Sequence, residues 1–234
     1  MTIPRLLGAS LLLAATMSPA LASPQGQVAD TLAQRAKACT GCHGPQGRAT
    51  PDGYVPRLAG KPAGYLLEQL LAFRDGRRQH ATMSQLLANL TDGYLGELAG
   101  HFAAQEVPYP APTQPALAGP DDQRAERLVR SGDPQRRVPA CVACHGDTLA
   151  GIAPKVPGLL GLPRDYVVGQ LGAWRTGQRR SRAPDCMAAI AGRLSPDDIA
   201  LVGRWLASQP VSAGMKPSSL APATWPMPCG SVAP

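Results

Sequence analysis

Cys39-Thr40-Gly41-Cys42-His43 lies near one end of this chain, and Cys141-Val142-Ala143-Cys144-His145 repeats its spacing about a hundred residues later. Two cysteines with two residues between them, followed at once by histidine, form the attachment signature of a c-type haem. Each thiol adds to one vinyl group of the porphyrin, so the sulfurs must reach opposite ends of one ring edge. The histidine then falls beneath the iron as an axial ligand. A zinc site would have to unite Cys39, Cys42, Cys141 and Cys144 from two distant segments and leave both histidines without a part. A redox dithiol wants a βαβ context, and alternating β-branched strand patterns are scarce here. The two motifs therefore predict two covalently bound haems.

The motifs sit inside a longer repeat. Val55-Pro56-Arg57-Leu58-Ala59-Gly60 answers to Val156-Pro157-Gly158-Leu159-Leu160-Gly161, and Tyr65, Gln69, Leu70, Phe73-Arg74 and Gly76 answer to Tyr166, Gln170, Leu171, Trp174-Arg175 and Gly177. Met83 answers to Met187, and Leu90-Thr91 to Leu194-Ser195. The offset drifts only from 101 to 104 residues, which marks one duplicated unit and not a solenoid of short repeats. Helical spacing leads up to Cys39, a second helix opens at Pro62 and stops at Gly76, and Thr91 caps a third that carries Leu95, Leu98, Ala99 and Phe102. In the second copy Asp121 caps a helix bearing Ala125, Leu128 and Val129. Ser195-Pro196-Asp197-Asp198 starts the last helix, with proline at its first position and an acid at its third. A basic loop precedes each methionine.

These patterns give an all-α chain with five parts. Residues 1–22 read as a secretory leader: Arg5 supplies the positive start, Leu6 to Met17 a short apolar run, and Ala20-Leu21-Ala22 a cleavage site. The run is too short to span a bilayer comfortably, so the mature protein is expected in the periplasm without a transmembrane segment. Residues 23–106 form the first haem domain, 107–120 a proline-rich, extended linker, 121–210 the second haem domain, and 211–234 a proline-rich tail without a counterpart. Aromatic residues make up only 4% of the chain, and a buried haem in each domain would supply the missing apolar bulk.

The formal net charge is +7, concentrated after the linker, where Arg179, Arg180 and Arg182 form a basic loop that could face an acidic partner. Nucleic acid is the usual thought for such a chain, but export argues against it, and four haem propionates would cancel most of the excess.

Each iron needs a second axial ligand. His145 is the second domain's sole histidine, so a bis-histidine site is impossible there. The repeat selects Met83 and Met187, which align and both precede the last helix of their copy. His80 is the runner-up to Met83. Met215 and Met227 have no counterpart and read as packing residues. The haem motifs take four of the six cysteines and leave Cys186 and Cys229, which an exported protein is expected to pair as a disulfide; the alternative is a Cys186 thiolate as an iron ligand.

With these residues in place the chain resembles a dihaem class I cytochrome c, nearest the cytochrome c₄ type, over about residues 26–210. The resemblance implies two tandem all-α cytochrome c domains with their haems near each other. It also implies electron transfer among redox proteins such as cytochrome c oxidase, a quinol-oxidising complex or a periplasmic dehydrogenase, with peripheral association at membrane complexes. In that family a proline carbonyl after the haem motif accepts a hydrogen bond from the ligand histidine, a part that Pro56 and Pro157 would play here. Gly158 stands where the first copy has Arg57, so an arginine–propionate contact at Arg57 would not be duplicated. Histidine plus methionine leaves no open iron position, which points to a carrier of single electrons and not an enzyme. The competing readings are a dihaem enzyme of the peroxidase or thiosulfate dehydrogenase type, which needs a displaceable ligand, and an electron-accepting haem subunit of a dehydrogenase or oxidase complex.

Overall fold

The computed structural model describes residues 29–50, 53–112 and 114–232; the expected leader lies outside them. The first copy supplies four helices: α1 (Leu32–His43), α2 (Ala63–Arg74), α3 (Ala81–Leu87) and α4 (Asp92–Ala103). Thr31 and Thr91 cap α1 and α4, their hydroxyl oxygens accepting from the Gln34 and Tyr94 amides at 3.2 and 3.3 Å. The second copy supplies α5 (Gly119–Arg130), a single turn α6 (Val142–His145), α7 (Arg164–Arg175), α8 (Cys186–Arg193) and α9 (Pro196–Ser208). Ser195 and Asp198 form a reciprocal capping box at α9. The only strands among the described residues, β1 (Gly151–Ile152) and β2 (Val156–Pro157), make a two-residue antiparallel ladder.

Each copy builds its own core. α1, α2 and α4 enclose Ala36, Leu66, Leu98, Ala99 and Phe102, while α2, α3 and α4 enclose Leu71, Phe73, Leu87 and Leu95. In the second copy α5, α7, α8 and α9 meet around Ala125, Val129, Leu171, Ala191, Trp205 and Leu206. Leu95 and Leu206 are sealed from solvent, so truncating either to alanine would cost about 2–5 kcal/mol.

Several local expectations change. α5 begins at Gly119 with Ala118 as its cap; Asp121 lies inside the first turn, where an acid complements the exposed amide dipoles without capping. α5 ends at Arg130, short of the second haem motif. Residues 131–141 intervene, closed by an antiparallel bridge between Asp133 and Val138, and the motif occupies the separate turn α6. Met83 and Met187, which follow the basic loops, lie in the first turns of the short helices α3 and α8. The linker is pinned as well as extended: Arg57 donates to the carbonyl oxygens of Val107 and of Pro108 (3.0 Å for the latter) and stacks over the Tyr109 ring at 4.0 Å.

The tail, which has no periodicity, is held by specific contacts. The Ser218 amide donates to Gly151 O at 2.9 Å and Ser218 O accepts from Ala153 N at 2.8 Å, adding a third short segment beside β1. Cys229 is joined to Cys186 by a disulfide, and the Gly230 amide donates to Pro184 O at 2.9 Å.

The copies meet through equivalent residues. Arg78 and Arg179 form an antiparallel backbone bridge, with the Gln79 amide donating to Gln178 O at 3.0 Å and the Arg180 amide to Arg77 O at 2.7 Å. The start of α2 docks on the second copy, Tyr65 N donating to Pro154 O at 3.1 Å. Gly64 permits that approach, since a Cβ there would stand 2.8 Å from the same oxygen.

Candidate functional site

The two histidines are built into their places in the same way. His43 ends α1 and His145 ends α6, and each is followed by a glycine in the left-handed region, Gly44 at φ 74° and Gly146 at φ 82°. A Cβ at Gly44 would stand 2.5 Å from Ala49 O, so the chain turns sharply away and leaves the imidazole facing inward. Both rings are buried, at 8% exposure each. His43 Nδ1 lies 2.7 Å from Pro56 O and His145 Nδ1 lies 2.7 Å from Pro157 O. A carbonyl can only accept, so Nδ1 carries the proton and donates it. That tautomer leaves the Nε2 lone pair free, which is what a metal ligand requires. Burial holds both imidazoles below their usual pKa, and only the proline carbonyl pulls each back up. For His43 the charges of Arg78 and His80 add to the lowering, which puts the start of α3 within its electrostatic reach.

The cysteines are thiols in an apolar setting. Burial pushes Cys141 up to about 11, and Cys39 and Cys144 also rise, mainly for the same reason. Reactive redox or metal-binding dithiols show the opposite tendency. Among the described residues no three His, Cys, Asp or Glu side chains are grouped so as to hold a bare metal ion.

In the second copy the groups converge. Cys141, Cys144, His145, Pro157, Trp174 and Met187 border one cavity of about 970 Å³, its open mouth included. Its remaining walls are nearly all apolar, from Leu128 and Val138 to Leu206. A second cavity of about 710 Å³ touches the same His145 and Met187 from the side of the tail, with Trp225, Met227 and the disulfide in its wall. In the first copy Met83 is half-buried against Leu71, Phe73, Leu87 and Leu95. His80 is exposed and serves as the N-cap of α3, its Nδ1 accepting from the Met83 amide at 3.4 Å. Cys186 has its sulfur bound to Cys229, so it has no thiolate to offer.

The family comparison follows the same lines. The cytochrome c profile matches residues 30–125. A thiosulfate dehydrogenase electron acceptor from Thiomonas intermedia (strain K12) is 36% identical over 180 residues, covering 76% of this chain and 81% of that one. Cytochrome c4 from Pseudomonas aeruginosa is 36% identical over 182 residues, covering 76% of this chain and 87% of its own. This chain belongs to the cytochrome c family, in its dihaem cytochrome c4-like branch. The solved thiosulfate dehydrogenase TsdBA from Marichromatium purpuratum superposes with a TM-score of 0.63 at 35% identity over 74% of this chain, which spans about a third (36%) of that longer one.

The protein is thus a dihaem c4-like electron carrier, and its residues fit the cofactor. The large cavity is lined mainly by apolar groups, as a porphyrin face requires, and Cys141, Cys144 and His145 are among its lining residues. The charges near it are cationic. Lys61 and Arg179 line it and, among the described residues, no carboxylate does. Burial would raise the Tyr65 phenol, but Arg179, Lys61 and Arg78 together outweigh it and bring it down to about 8. An electropositive wall without acids suits the carboxylate edge of a haem.

Two arginine readings take a definite form here. Arg57 donates to Ala59 O, Val107 O and Pro108 O, so it ties the linker to the first copy. In the stretch Arg179–Arg182, Arg180 is exposed while its two neighbouring arginines are engaged. Arg179 is 3% exposed and stacks on Trp174 at 3.7 Å, and Arg182 pairs with Glu68 at 2.8 Å. Lys61 and Tyr65, which the first copy contributes to the second copy's cavity, went unnoticed in the sequence. The available signal was a break in the repeat, lysine at 61 against leucine at 162.

Proposed function

We propose that this chain is exported to the periplasm, cleaved near Ala22, and carries single electrons on two haems held in domains 23–106 and 121–210, joined by the linker 107–120. In this reading Cys39 and Cys42 bind one haem, with His43 and Met83 as axial ligands. Cys141 and Cys144 bind the other, with His145 and Met187. The observation that carries it is the convergence of Cys141, Cys144, His145 and Met187 on one apolar cavity, with Nδ1 of the histidine already committed to Pro157 O. When bound, the haem supplies a one-electron iron couple, whose potential methionine ligation and burial raise.

The residues do the rest. Pro56 and Pro157 fix the imidazole tautomers. Trp174, Leu171 and Leu206 exclude water. α3 and α8 hold their methionines on rigid first turns, so oxidation and reduction demand little rearrangement. If His43 with Met83 and His145 with Met187 hold the two irons, no open site would remain for a small substrate, which favours a carrier over an enzyme.

The immediate donor we propose is a thiosulfate dehydrogenase, since one relative bears the name of that enzyme's electron acceptor and a solved thiosulfate dehydrogenase contains a region like this chain. A terminal oxidase would receive the electrons. Stopped-flow mixing of the oxidised protein with a thiosulfate-reduced thiosulfate dehydrogenase should show haem reduction in a second-order phase. Reduction no faster than by thiosulfate alone would remove this donor, and a different periplasmic dehydrogenase would then be sought.

A further inference from the structure

Lys61 stands apart from the repeat. It lies between Gly60, which turns the chain at φ 72°, and Pro62, which caps α2. Although it belongs to the first copy, its side chain lines the cavity of the second. Apart from Tyr65, every other residue of that cavity wall lies between Leu128 and Leu206. The lysine is 8% exposed, with its ammonium 5.9 Å from the Tyr65 ring centroid. Among the described residues no carboxylate stands on that wall; Arg57 and Arg179 are the neighbouring cations, and the Tyr65 and Tyr109 phenols are the groups that favour the charged lysine.

A buried cation among cations is costly unless an anion completes it. Burial holds the Lys61 ammonium below its usual pKa; the Tyr65 and Tyr109 phenols pull it back up, Arg57 and Arg179 push it further down, and no carboxylate among the described lining residues supplies a full counter-charge. The equivalent position in the second copy is Leu162, so no such cation stands there. Whatever Lys61 completes, it does so on one side only.

We propose that Lys61 is the first copy's contribution to the second haem, a counter-charge to a propionate in that cavity that biases the shared electron toward the second iron. The inference rests on the haem occupancy argued above. A positive charge near an iron stabilises its less positive, reduced form. At about 10 Å and an effective dielectric near 20, one charge is worth enough to shift a one-electron equilibrium roughly tenfold. Lys61 is therefore a positioning and tuning residue, acting through the haem edge and not on the iron.

The test is a redox titration of the full-length dihaem protein, with each haem followed by its own hyperfine-shifted methyl resonances. Signals displaced by Met187→His identify the second haem. Lys61→Gln and Lys61→Met should each shift the second haem's reduction equilibrium about tenfold toward the oxidised state, about 59 mV for one electron. The first haem should move less than threefold, and Lys61→Arg should retain the parent value. Equal shifts at both haems, no shift, or a shift in Lys61→Met without one in Lys61→Gln would overturn the proposal. So would loss of the methionine-to-iron near-infrared band in Lys61→Gln, which would mean that Lys61 holds the ligand methionine in place and is not a counter-charge. A pyridine haemochrome count of two per chain in every variant keeps these outcomes separate from failure of the haem reading itself.

Discussion

Arg78 and Arg179, equivalent residues of the two copies, face each other across an antiparallel backbone bridge and share both of the repeat's glutamines. Arg78 donates to Gln170 Oε1 at 2.6 Å and to Gln69 Oε1 at 3.1 Å, while Arg179 donates to both oxygens at 2.8 Å. Two like charges are held together by two neutral acceptors, with Tyr65 completing the ring at 3.2 Å from Arg179. The duplication thus produced a joint with approximate two-fold symmetry between its own copies. The joint fixes how the two copies are presented to each other.

The first prediction concerns that joint. Gln170→Leu removes the acceptor shared by both guanidiniums while keeping the side chain's bulk. Hydrogen bonds to charged groups contribute about 1.5–3 kcal/mol each, and some will be replaced by water at this half-buried site. We expect a net loss of about 2 kcal/mol in urea unfolding and slower electron exchange between the haems. A loss below 0.5 kcal/mol would mean that the bridge itself, and not the glutamines, sets the joint.

Ligation provides the second. Met83→Ala and Met187→Ala should each remove about half of the near-infrared methionine-to-iron band of the oxidised protein. His80→Ala should leave the band intact, because its Nδ1 is engaged as the N-cap of α3; the expected cost is about 1 kcal/mol of helix stability. Survival of the band in Met83→Ala with a changed spectrum in His80→Ala would reverse the assignment in the first copy.

The third concerns acid stability. The Asp198 carboxylate is sealed from solvent and accepts from Arg124 at 2.6 Å, from Arg136 at 2.5 Å and from the Ser195 amide at 3.1 Å. Burial alone would raise its pKa, but these donors win and hold it at about 2, down from 3.8. A depressed carboxylate adds stability that is present above the unfolded value near 3.8 and lost as pH falls through about 2. Asp198→Asn should therefore cost about 2–3 kcal/mol at neutral pH, since removing one partner of a buried pair is expensive. It should also flatten the dependence of melting temperature on pH between about 4 and 2. An unchanged acid profile would place the acid sensitivity elsewhere.

Much of this was readable in the sequence, because the haem motifs and the repeat are local signals. Cys39, Cys42 and His43 fall on one helical turn, and Thr91 and Ser195 cap helices by chemistry carried in a few neighbouring residues. The rest depends on where distant segments meet. Arg57 sees Tyr109 only after the linker folds back, and Lys61 enters the second cavity only because α2 docks on Pro154. α3 and α8 were hidden for a different reason. At 7 and 8 residues they are too short for periodicity to register, and they owe their form to packing of their inner faces and to the His80 and Asp185 caps.

The last prediction concerns the tail. Residues 211–232 have no hydrophobic period, yet the Cys186–Cys229 disulfide brings Trp225 and Met227 to the wall of the cavity that Met187 borders. The bond closes a loop with a sequence separation of 43 residues, which in the chain-entropy model stabilises by about 4 kcal/mol. The location adds a local effect. Cys186 opens α8 and Met187 follows it, so the tail is tied to the very turn that presents the ligand. Released from that tie, the tail would be held mainly by the Ser218 strand contacts and an exposed Lys216–Glu106 pair, and exposed pairs contribute under about 1 kcal/mol. Water would then reach Met187. Cys229→Ser should lower the melting temperature by several degrees and make the second iron's methionine band labile to imidazole or mild alkali, with the first iron's spectrum unchanged. Peptide mapping without reductant checks the premise. Two free thiols in freshly isolated protein would reject it, and an equal loss at both irons would show that the tail acts on the whole fold and not on α8.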